Sequence, residues 1–114
     1  MRIILLTKTP QSARTRLCLQ LLAGLAGSVD VMVFLAGDGV YNLIGLDRLD
    51  AACQMASQFG KPLWVLLPRD QIIACREDLA ARGVSADGKA TVPANFYELL
   101  VDDMMKEGSR IYTF

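Results

Sequence analysis

The chain contains no histidine. That absence removes the base of Ser-His-Asp and Cys-His catalysis, and it leaves a zinc site only scattered cysteines and carboxylates to draw on. Charge of one sign is lacking too. Twelve basic residues cancel twelve acidic ones without forming a cluster, so there is no electrostatic footprint for nucleic acid or a membrane surface. No apolar run reaches the roughly 18 to 20 residues that span a bilayer. The opening "MRIILLTKTP" lacks the longer apolar core and small-residue cleavage site of a secretory signal. The expected location is therefore the cytoplasm. There Cys18, Cys53 and Cys75 stay reduced, and their wide spacing fits neither a disulfide framework nor a CxxC motif.

What is present is an apolar chain of domain size. Its 114 residues fit one domain, 1–114, and 53% of them are hydrophobic. That share implies strands buried on both faces or an oligomer. "MRIILLT" reads as a strand buried on both sides. A helix follows, with Thr9 as N-cap, Pro10 at the first helical position, a stripe of Ala13, Leu17, Leu21 and Leu25, and an end near Gly27. "VDVMVFLAG" is a second strand, Leu46 to Phe59 a second helix stopped by Gly60, and "PLWVLL" a third strand. In "RDQIIACREDLAARG" the later part, Leu79 to Arg82, is helical and capped at Gly83, while "QIIAC" reads equally as helix or short strand. "KATVP" is a candidate fourth strand, "ANFYELLVDDMMKEG" a helix capped at Gly108, and "SRIYTF" a terminal strand. The alternation predicts an α/β fold, a three-layer α/β/α sandwich with a mainly parallel sheet of about five strands.

Ligands of open α/β sheets bind beyond the carboxyl ends of the strands, here the loops after Thr7, Leu35 and Leu67. Gly37-Asp38-Gly39 lies at one such end. Its glycines allow close backbone approach and Asp38 can accept from amides of the following turn, so it reads either as a ligand cradle or as a turn that redirects the chain. The third glycine of a dinucleotide fingerprint is missing. Cysteine is the strong nucleophile available, and it reacts well near neutral pH when a helix N-terminus or neighbouring cations lower its pKa. Cys75, with Arg76 beside it and Arg82 seven positions on, meets that description. It equally suits a small core position at helical spacing with Ile72 and Leu79. Cys18 reads as buried among leucines and Cys53 as ordinary helix packing. Lys8, Arg14 and Arg16 suit a solvated face or an anion near the first strand's end. Asp102 and Asp103, adjacent on a helix, do not face each other as a catalytic pair does.

Several segments in order, "KTP", "LCLQLL", "VFLAGDGVYNLI", "CREDLAARGV" and "RIYTF", resemble the DsrE/DsrF/DsrH-like family, which includes the TusB, TusC and TusD proteins of the sulfur relay. "DGVY" combined with "EDLAARGV" is the most specific part. The resemblance implies a small α/β domain that forms homo- or hetero-oligomers and carries sulfur as a cysteine persulfide between protein donor and acceptor, without metal or bound cofactor. In the DsrE and TusD branch the carrier cysteine stands seven residues before the arginine of an Arg-Gly pair, as Cys75 stands before Arg82-Gly83. In the DsrH and TusB branch that position is commonly leucine, within a pattern resembling "ALxEDLxARG", and a first-helix cysteine is found instead, matched by Cys18. The chain is mixed: Asp38-Gly39-Val40-Tyr41 and Glu77-Asp78-Leu79 are DsrH-like, Cys75 is DsrE-like. The expectation is a carrier on Cys75, its thiolate favoured by Arg76 and Arg82, beside a turn fixed by Asp38 and Gly39. The alternative is a non-catalytic subunit whose Phe34, Tyr41 and Trp64 cover partner surfaces. A small-ligand or nucleotide-binding domain has only the strand-end geometry behind it.

Overall fold

The computed structural model describes residues 2–25, 30–44 and 63–114. The expected helix over Leu46 to Phe59, its stop at Gly60, and Cys53 all lie outside these residues. Four strands, β1 (Arg2–Leu6), β2 (Val31–Leu35), β3 (Ile72–Ala74) and β4 (Arg110–Thr113), form an all-parallel sheet in the order β3-β2-β1-β4. The register sets Ile4 opposite Val33 and Tyr112, and Val33 in turn opposite Ile72. Among the described residues the sheet thus has four strands, not about five, within a mixed α/β fold.

Side chains alternate between the two sheet faces, as a period of two requires. Ile4, Leu6, Val31, Val33, Leu35, Ile72 and Ala74 join one buried cluster, with Cys18 and Leu22 of α1 (Ala13–Gly24). Ile3, Phe34, Ala36, Ile73 and Cys75 join another, with Phe96 and Leu100 of α4 (Phe96–Met104). Phe34 and Phe96 meet edge to face at 5.5 Å, an arrangement worth about 0.5–1.5 kcal/mol beyond the area it buries. Phe34, expected to cover a partner surface in the non-catalytic alternative, is completely buried within the chain.

Three expectations about elements are corrected. First, α1 begins later than Thr9. Ser12 is its N-cap, with its hydroxyl accepting from the Arg14 amide at 3.2 Å, while Thr9 and Pro10 belong to a turn closed by the Ser12 amide on the Thr9 carbonyl. The helix ends at Gly24, capped by Leu25. Its inward face carries Thr15, Cys18 and Leu22, and Leu17 is 58% exposed. The leucine stripe therefore lies one residue out of phase with the buried one. Second, "PLWVLL" does not supply a strand. Leu63–Leu66 is a single helical turn, α2, which buries Leu63 and Leu67 at i,i+4 and leaves Val65 outside. The third strand is instead Ile72–Ala74, the alternative left open within "QIIAC". Short apolar runs do not distinguish strand from buried helix by period, and two adjacent isoleucines favour extension. Third, "KATVP" contributes one parallel bridge, Thr91 to Ile73, not a strand.

The other terminations follow local chemistry. α3 (Arg76–Arg82) stops at Gly83, which is left-handed at φ 64°, a cap that costs glycine little. α4 closes at Met105, and Gly108 turns the chain beyond it toward β4. Among the described residues no helix is long and apolar enough to cross a membrane.

Candidate functional site

The parallel strands bring the carboxyl ends of β1, β2 and β3 to one edge of the sheet. β2 runs through Ala36 into a 3₁₀ segment, Gly37–Leu43, which tucks Val40 and Leu43 into the core. Gly39 lies against the end of β1. A Cβ there would overlap the Leu6 carbonyl, 2.8 Å from its carbon, so only glycine lets this backbone approach. Buried Asn42 secures the contact by donating to the Gly39 carbonyl at 2.9 Å and the Lys8 carbonyl at 3.1 Å.

The turn is held differently from the expectation for Asp38. The Gly37 amide donates to Asp78 Oδ2 at 2.8 Å, across from α3. Asp38 instead accepts from Arg82 Nε at 3.0 Å, and Arg82 Nη1 also reaches Asp78 Oδ1 at 3.4 Å. The bond to Asp38 is the leading cause of the raised Arg82 pKa. Arg82 is thus occupied by two carboxylates, Asp38 and Asp78. Arg76 is exposed at the start of α3.

Cys75 follows β3 directly and is the N-cap residue of α3. Its amide donates to the Leu35 carbonyl at 3.0 Å, which extends the β2–β3 pairing and fixes its backbone. The side chain is 2% exposed, and its Sγ donates to Glu77 Oε2 at 3.4 Å. The thiol pKa is raised, first by burial and then by Asp78 and Glu77, against a lowering by the Asp78 backbone amide. The expected lowering by Arg76 and Arg82 is therefore not found. The cation seven positions on is diverted to Asp38 and Asp78, and the sulfur's own side-chain partner is the Glu77 carboxylate. Cys18 is fully buried in the other cluster and burial pushes its thiol up to about 12, as an inert core cysteine requires.

Cys75 lines a cleft of about 300 Å³ between the start of α3 and the start of α4, together with Glu77, Asp78, Asn95, Tyr97 and Glu98. The four residues Cys75, Arg82, Asp38 and Gly39 do converge on one sheet edge, whereas Cys18 does not join them. Asp78 was legible as a neighbour, three positions from Cys75 on a helix. Tyr97 and Glu98 carry no such local spacing and reach the cleft only because α4 docks through Phe96. Arg14 and Arg16 are exposed on α1, and Asp103 is paired with Lys106 at 2.8 Å. Among the described residues no three metal-binding side chains converge to hold an ion. Compared with protein-family models and with curated protein sequences, the chain matches none.

Proposed function

We propose that the chain is a cytoplasmic sulfur-relay protein that carries sulfur as a persulfide on Cys75 between a donor and an acceptor protein. The observation that carries this reading is the position of Cys75, at the carboxyl end of β3 and in the wall of an open cleft. Its thiolate attacks the outer sulfur of a donor persulfide, the donor's S–S bond breaks, and the electron pair leaves on the donor's cysteine. No metal, cofactor or histidine enters that exchange. Balanced charge favours protein partners over nucleic acid. Core clusters on alternate sheet faces support a three-layer α/β/α arrangement, and exposed Val101, Met104 and Met105 support assembly into an oligomer of the DsrE/DsrF/DsrH-like kind.

The test is mass spectrometry after incubation with a persulfide donor. Wild type is expected to gain one sulfur on the Cys75 peptide and Cys75→Ser none there. No gain on Cys75 or Cys18, with Cys75→Ser behaving as wild type, ends the carrier reading. A second reading, a non-catalytic subunit of a hetero-oligomer, is favoured by the near-complete burial of both Cys18 and Cys75 and by the raised thiol pKa of each. Thiol titration of the native protein separates the two, because a carrier must show one accessible thiol.

A further inference from the structure

We infer that the outward face of α4 is a docking surface for a second copy of this chain, which enters it with the outward face of its α1. The contact stands apart from the carrier chemistry, and neither needs the other.

Helix α4 is apolar over a wider arc than the sheet covers. Phe96 and Leu100 point into the core, while Tyr97, Val101, Met104 and the capping Met105 are exposed, Met105 by 80%. Their spacing of i, i+4, i+7 and i+8 gathers them on one face. Large apolar side chains collected in this way, and not scattered singly, mark a surface that another molecule covers. Exposed Glu98 and Asp102, one position on from Tyr97 and Val101, border the stripe with carboxylates.

That border decides the occupant. Two α4 stripes packed on each other would bring their acidic rims together, which opposes such a contact. Helix α1 offers the complement. Its outward face presents Leu17 with Arg14 and Arg16 on either side, and α1 is the one described helix that has arginines and no carboxylate. Ala13 and Gly24 share the face of Leu17, and the space above Gly24 is open. The surface around Leu17 is therefore low, and it suits the long methionines of α4, which adapt to irregular gaps. Among the described residues the ion pairs join Arg82 to Asp38 and Asp78, and Lys106 to Asp103. Arg14, Arg16, Glu98 and Asp102 are left to answer one another across the contact.

Within one chain the two helices dock on separate clusters, with Cys18 and Leu22 in one and Phe96 and Leu100 in the other. Each outward face is thus left to a neighbouring copy. Contact between unlike faces is heterologous and repeats from copy to copy. Tyr97 and Glu98 also line the Cys75 cleft, so the incoming α1 borders its mouth. One helix pair buries little area, so association is reversible and grows with concentration.

The test is sedimentation of the full chain over a concentration series. Wild type is expected to be monomeric when dilute and to associate when concentrated. Two double variants, Arg14→Glu with Arg16→Glu and Glu98→Arg with Asp102→Arg, each give both helices the same charge. Each should lose the association and keep the wild-type circular dichroism. Mixed in equal amounts they regain opposite charges at every contact, and the associated species is expected to return. Leu17→Glu and Val101→Arg repeat the exchange with single changes at exposed positions, so a double variant that fails to fold leaves the question decidable. Wild type that stays monomeric at every concentration overturns the inference. An R14E/R16E chain that associates like wild type overturns it as well, because α4 then takes another occupant, and so does a mixture of folded variants that stays monomeric.

Discussion

Gly39 presses its Cα against the Leu6 carbonyl, closing the end of β1 under the 3₁₀ segment that follows β2. The obstructing group is backbone in a buried parallel strand, so it cannot rotate aside. Gly39→Ala is expected to cost about 1–3 kcal/mol, as overpacking of a filled interior does. Urea unfolding reads this directly, and an unchanged midpoint would show that the segment shifts freely.

Asp78 ties α3 to the turn after β2 by accepting the Gly37 amide and, within its own helix, an Arg82 nitrogen. Asp78→Ala leaves the Gly37 amide without its acceptor. The loss is expected to be about 1–2 kcal/mol, toward the lower end for a bond to a charged group because the carboxylate is a quarter exposed. Asp78→Asn keeps an acceptor and should lose less. Equal losses in the two variants would contradict the role assigned to the Gly37 bond.

The phase of α1 can be checked with two leucines. Leu22 is fully buried and Leu17 largely exposed. Leu22→Ala should destabilise by about 2–5 kcal/mol, and Leu17→Ala by less than about 0.5 kcal/mol. Comparable losses at both positions would restore the stripe read from the leucines alone.

Cys18 makes stability fall in alkali. An acid whose pKa is raised by folding stays protonated in the native state after the unfolded chain has lost its proton, so the unfolded state binds fewer protons and stability drops with rising pH. The contribution is complete below the ordinary thiol value of 9.0 and declines toward about 12, a span worth about 4 kcal/mol. Denaturation midpoints taken between pH 8 and pH 11 should fall more steeply for wild type than for Cys18→Ala. Parallel declines would mean that this thiol is not the group responsible.

Much of this arrangement was readable in the residues. Continuous apolar runs specified β1 and β2, because a strand covered on both faces has no polar side to show. Arg82-Gly83 marked a helix end, since the left-handed cap suits glycine. Gly37-Asp38-Gly39 signalled a turn with close backbone approach, and Gly39 makes that approach on Leu6.

Tertiary structure decided the rest. It chose Ile72–Ala74 over "PLWVLL" as the strand, because both runs are short and apolar and only the register with β2 separates them. It turned α1 so that Thr15 and Leu22 face inward beside Cys18, whose burial the leucines around it announce, and left Leu17 outside. At the site it reversed an electrostatic expectation. Sequence counts two arginines near Cys75, but charge acts through distance, and folding brings Arg82 to Asp38 and Asp78 while it brings Glu77 to the sulfur. Tyr97 enters the cleft for the same reason: α4 is anchored through Phe96 on Phe34, a contact between distant segments that no local spacing encodes.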